Sequence, residues 1–211
     1  MQVKKGDIRD KIISSARREF LEHGYLEASL RVIAEKEGLT KGAIYSYFQN
    51  KDTLFCELTA PAISFIKKEF QHDQCYDASK TKDALFDSYQ LTIQGFRSCA
   101  QAVLAQHESF KLLLFCSAGS SLQNYKETII QLYAQNFNKL LSFFTKTESC
   151  RAGVINEMFI HTLATTYVSF LEEIVLHEPA RKEVDEYVKQ MAVFVHSGIK
   201  KLYSHLTKNK G

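Results

Sequence analysis

The chain has no tryptophan and only two prolines, Pro61 and Pro179, in 211 residues. Proline breaks helix interiors and central strands, so its scarcity leaves room for long helices. No run approaches ~18 uninterrupted apolar residues, so no membrane span is expected. The N-terminus alternates charge through Lys4, Lys5, Asp7, Arg9, Asp10 and Lys11 and lacks the apolar core of a signal peptide. The five cysteines (Cys56, Cys75, Cys99, Cys116, Cys150) are odd in number and form no C-x-x-C, which argues against a disulfide framework or a zinc site. Reduced, mostly buried thiols in a soluble, cytoplasmic protein are the expectation. The sequence also lacks G-x-S-x-G, H-E-x-x-H, a P-loop and the paired Glu-x-x-His of helical di-iron proteins. Accordingly no catalytic residue, metal ligand or cofactor is assigned, and an all-α enzyme stands only as an alternative without a motif.

What is present is helical periodicity. Apolar content of 45% without a low-complexity tract fits a globular protein with a substantial core. Long segments repeat at 3.6 residues with no strand-like alternation, which predicts an all-α chain of about nine helices. The first runs from about Asp7 to His23, with Gly24 as its stop. Ser29, Thr40 and Asn50 are expected N-caps for the next three. The fourth starts at Lys51, reaches residues 67–71 and contains Pro61, where a bend is expected. Residues 72–82 read as a connector. Later helices are expected at 79–105, 107–118, 121–147, 154–177 and 180–206, with a loop over Thr145–Gly153. This divides the chain into a module of residues 1–50, a connecting helix over 51–72 and a C-terminal body over 73–211.

Residues 29–48 carry the most information. Leu30, Ile33 and Ala34 share one helix face, Gly38 breaks the run, and Ile44 and Phe48 resume it. A small residue where two helices cross and a glycine between them are what a helix-turn-helix requires. Net charge of +3 is too small to argue for nucleic acid, but from Gly38 to Lys51 there is no acidic residue. In such a motif the second helix enters the major groove and its first residues meet base edges. Those are Thr40, able to bond a base or a phosphate, Lys41, a donor to guanine, Gly42, permitting close approach, and Ala43, able to touch a thymine methyl. Tyr45 and Tyr47 are placed to donate to phosphates. Lys51 at the next helix start forms an expected anion site, and Ser29 and Arg31 grip the other backbone. A generic helical hairpin with a solvated face is the competing reading of the same residues.

The ordered run Phe20…Gly24-Tyr25…Ser29-Leu30-Arg31…Ile33-Ala34…Gly38-Leu39-Thr40-Lys41-Gly42-Ala43-Ile44-Tyr45…Tyr47-Phe48…Lys51-Asp52…Leu54 resembles the N-terminal signature of TetR-type transcriptional regulators. It covers about residues 7 to 56. Glu37 departs from the pattern, where a small alanine is usual, and is expected to face solvent at the helix end. The resemblance implies a three-helix DNA-binding domain, a larger C-terminal ligand-binding and dimerisation domain, a homodimer, and a double-stranded DNA operator with two-fold symmetry. It points to a repressor released by a small effector, which the aromatic-rich C-terminal segments suggest is apolar or amphipathic. The alternative on the same fold is an architectural or cell-division factor without an effector.

In the C-terminal body, Met158, Phe159, Leu163, Phe170 and Ile174 form one apolar stripe. Val184, Tyr187, Met191, Val195, Gly198, Ile199 and Leu202 form another. Paired with their copies they would make a four-helix dimer interface; facing inward they would be core. An effector cavity is expected among Phe86, Tyr89, Ile93, Phe96, Phe110, Phe115, Tyr133, Phe137, Phe159 and Tyr167. His107, Tyr133, Asn136, His161 and Tyr167 are the candidate orienting polar groups, against the alternative that each is an ordinary core or surface residue.

Overall fold

The computed structural model describes residues 5–71, 89–147 and 155–208. Among them there are nine helices and no strand: α1 (Lys5–Glu27), α2 (Leu30–Lys36), α3 (Lys41–Tyr45), α4 (Lys51–Gln71), α5 (Tyr89–Ala105), α6 (His107–Phe115), α7 (Tyr125–Thr147), α8 (Glu157–His177) and α9 (Arg181–Lys208). The all-α expectation holds. Gly24, at φ 70°, interrupts α1 where the stop was expected, a conformation that costs glycine little.

The chain forms two compact units that do not follow chain order. One comprises the residues through Ile66 together with Gln106–Lys126; the other comprises Lys67–Ala105 and the residues from Glu127 on. This differs from a division at residues 50 and 72, because periodicity does not reveal that α6 returns to α1.

In the first unit Ile12, Ala16, Phe20, Ile33, Ala34, Ile44, Leu54, Phe55 and Leu112 are at most 1% exposed and form one cluster. Phe20 and Tyr25 both meet the Phe55 ring at 5.1 Å, edge to face, a preferred aromatic geometry. The Tyr25 amide donates to the Cys116 carbonyl at 2.8 Å. Asp52 accepts from the Ser121 amide at 2.9 Å and the Ser121 hydroxyl at 2.7 Å. The α6–α7 turn is thereby bonded to both ends of the N-terminal motif. That turn also explains why α6 ends at Phe115 and α7 begins at Tyr125: the Ser120 amide and hydroxyl both donate to the Ser117 carbonyl. α4 continues through Pro61, and the next amide, Ala62, donates 3.2 Å to the buried Ser109 hydroxyl.

In the second unit α5 packs against α8 and α9. Phe96, Cys99, Phe170, Leu171, Ile174, Val184, Val188 and Ala192 are buried, and Phe96 meets Phe170 edge to face at 4.9 Å. Each fully buried Leu, Ile or Phe contributes about 1.5–3 kcal/mol. Phe170, Ile174 and Val184, three members of the stripes expected at a dimer surface, are therefore core within one chain. α8 is long and apolar enough to cross a membrane by length and composition, but Phe170, Leu171, Ile174 and Val175 are buried in this core. The end of the expected 145–153 loop, Phe86 and the 72–82 connector lie outside the described residues; α7 itself extends to Thr147.

Candidate nucleic-acid interface and cavity

α2 and α3 are short because the sequence stops them. Gly38 takes φ 66°, and the Leu39 amide closes the turn on the Ala34 carbonyl at 2.9 Å. Thr40 then caps α3, its hydroxyl accepting from the Ala43 amide at 3.2 Å. Ile44 inserts into the core beside Ala34 and Ile33, each at most 1% exposed. With Ile44 buried, Thr40, Lys41, Gly42, Tyr45 and Ser46 are left exposed, while Ala43 and Tyr47 are half-buried. Lys41 Nζ lies 5.9 Å from the Tyr45 ring centroid. The outward face of α3 is thus small, uncharged or cationic.

The supporting residues are more committed than the sequence suggested. Ser29 sits at the N-cap of α2 but its side chain makes no capping bond; its amide donates to Glu19 at 3.2 Å. Glu19, 2% exposed, also takes Lys36 Nζ at 2.9 Å. Burial would raise the Glu19 pKa, but the Lys36 hydrogen bond and the Ser29 amide outweigh it, and the carboxyl is held below its usual range. Arg31 pairs with Glu35 at 2.7 Å on the exposed face of α2, where solvent screening leaves an ion pair weak. Asn50 caps α4 in a reciprocal exchange with Thr53: its carboxamide oxygen accepts from the Thr53 amide at 2.8 Å, while its own amide donates to the Thr53 hydroxyl at 3.1 Å.

Two expectations change here. Glu37 is not turned freely to solvent: its side chain is 15% exposed and faces Arg18 at 3.6 Å. Lys51 is half-buried, and its ammonium donates to the Leu26 carbonyl at 3.1 Å and the Ala28 carbonyl at 2.8 Å, 4.6 Å from the Tyr25 ring centroid. Two of its three donors hold the α1–α2 loop. Burial lowers its pKa, partly opposed by Glu27 and Glu19.

The second unit contains an apolar cavity of about 160 Å³ between α5, α7, α8 and α9. Of the five orienting candidates, Tyr133 and Tyr167 line it. Asn136 instead donates to the Phe70 carbonyl at 3.3 Å, and His161 is exposed on α8. His107 starts α6 in the other compact unit, where Phe110 and Phe115 also lie. Leu163, Met191, Val195, Gly198, Ile199 and Leu202, which the sequence pattern assigned to a dimer stripe, line this cavity, joined by Thr166 and Phe194. Periodicity marks a helix face as apolar without saying what it faces. Tyr167 donates to or accepts from the Cys99 thiol at 2.8 Å. Burial pushes the Tyr167 pKa well up and that of Cys99 to about 12. No cluster of three metal-ligating side chains occurs among the described residues.

Residues 12–58 match the family described as bacterial regulatory proteins, tetR family. Over 62 residues the chain is 42% identical to the HTH-type transcriptional repressor AcnR of Corynebacterium glutamicum, a match covering 28% of this chain and 33% of that repressor. The chain thus spans about a third of the length of that relative. The fold extends further. A TetR-like transcriptional regulator from Rhodococcus sp. RHA1 superposes with a TM-score of 0.60 at 14% identity, over 93% of this chain and 100% of that one. NalD, the secondary repressor of the MexAB-OprM multidrug efflux pump in Pseudomonas aeruginosa, gives 0.53 at 19% identity, over 92% and 96%.

Proposed function

We propose that this chain, a member of the tetR family of bacterial regulatory proteins through its residues 12–58, is a cytoplasmic, operator-binding transcriptional repressor. The observation that carries the reading is the α2–Gly38–α3 arrangement. Burial of Ile44 against Ala34 turns Thr40, Lys41, Gly42 and Tyr45 outward as one acid-free face. Thr40 and Lys41 read base edges, Ala43 and Gly42 allow close approach, and Tyr45, Tyr47, Arg31 and Ser29 hold phosphates. The third donor of Lys51 remains for a phosphate of the same backbone.

One such head reads few base pairs, so the working form is a homodimer on an operator with two-fold symmetry, its half-sites ~34–36 Å apart. Met158, Leu176, Val193 and Phe194, all more than half exposed on α8 and α9, are the surface for pairing. The cavity supports a small-molecule effector, which favours this reading over an architectural factor. For such a ligand to weaken DNA binding 100-fold, ~2.7 kcal/mol of coupling is required, and DNA must weaken the ligand by the same factor.

Selection of bound DNA from a random pool tests the function. Enrichment of an inverted repeat is expected; a pool that stays unenriched, or that yields a sequence without two-fold symmetry, overturns it.

A further inference from the structure

The cavity in the second unit has a specific chemistry. Five of its walls are rings: Phe96, Tyr133, Phe159, Tyr167 and Phe194. None of its lining residues is Lys, Arg, His, Asp or Glu. Two of its hydroxyls are already committed: Thr166 donates to the Thr162 carbonyl at 2.9 Å, and the Tyr167 hydroxyl is bonded to Cys99. Burial keeps both Tyr167 and Cys99 protonated at neutral pH, so neither supplies a charge to answer one on a ligand.

We propose that this cavity takes a small, uncharged aromatic molecule. The inference rests on the effector reading above and names its ligand class. A charged group seated among these rings would lose much of its water; the lining itself holds no counter-charge, and the Glu69 carboxylate, whose charge reaches Tyr167 and Cys99, further opposes an anion. A neutral ring loses little and gains offset and edge-to-face contacts with the five rings. A volume of about 160 Å³ suits a guest of one ring or a fused pair, since an apolar cavity of ~150 Å³ holds benzene.

The chain has no tryptophan, so indole emission reports binding to it without a protein indole background. Indole and 3-methylindole are expected to saturate a single site, with indole-3-carboxylate weaker by about 100-fold and tryptamine, which Glu69 opposes less, weaker by about tenfold. Leu163→Phe and Ile199→Phe, which fill the cavity from two helices, should each weaken indole by about tenfold or more while helical circular dichroism is kept. The wild-type series decides the matter even if a variant misfolds. Absence of saturable indole binding, or a charged analogue binding within about threefold of indole, overturns the proposal. Operator affinity measured on the same samples separates the two readings. Indole that saturates the cavity without changing DNA affinity sinks the effector role and leaves the ligand class standing. A protein that binds operator but no indole sinks the ligand class alone.

Discussion

Lys51 Nζ lies 2.8 Å from the carbonyl oxygen of Ala28, so the first residue of α4 holds the first residue of the loop that leads into α2. A cation expected to serve only DNA is also a structural clip. Lys51→Met should lower stability by about 1–3 kcal/mol, because two carbonyls lose their donor. It should also reduce the salt slope of operator binding by ~1, through the remaining donor. Urea unfolding and a salt titration separate the effects, and an unchanged slope would leave Lys51 with the loop alone.

The Glu19–Lys36 pair makes a pH prediction. The folded pKa of Glu19 lies below its ordinary value of 4.5, so its contribution is fully present above that value and fades as pH falls through the folded pKa. Glu19→Gln should therefore be less stable than wild type at pH 7, and the difference should shrink below about pH 4.5. Denaturant midpoints measured from pH 7 to pH 3 would read it. A difference that stays constant would show that charge plays no part.

Lys41 should govern specificity more than affinity. Lys41→Ala is expected to relax preference at one position of each half-site by ~1–3 kcal/mol. Binding to a panel of operator variants checks this; a uniform loss across the panel would mean that Lys41 meets phosphate and that base reading lies elsewhere on α3.

Dimerisation is expected through the exposed apolar surface of α8 and α9, not through the whole of the two sequence stripes. Phe194→Glu should give monomers by sedimentation that retain helical content and lose operator affinity. Phe194 is 69% exposed in the single chain, so the change costs little folding stability. A variant that still sediments as a dimer would place the interface on another surface.

The helix-turn-helix was legible in the sequence because its constraints are local. Gly38 must supply a positive φ, Ala34 must be small, Ile44 must point inward, and the three lie within eleven residues of one another. Thr40 and Asn50 announced their caps for the same reason: a side-chain oxygen meets an amide three residues on. By contrast, the roles of Lys51, Glu37 and His107 depend on residues distant in sequence. Nothing near Lys51 in the chain points to the carbonyls of Leu26 and Ala28, and nothing near His107 says that α6 joins the N-terminal unit. The apolar stripes of α8 and α9 carry the same lesson. A 3.6-residue period fixes which residues share a face, because that follows from helix geometry alone. Whether the face meets its own core, a cavity or solvent depends on how the helices pack. Thus the sequence by itself determined the helical class and the outward face of α3, while tertiary packing decided that Phe170 and Ile174 are core, that Leu163 and Val195 line a cavity, and that Met158 stays exposed.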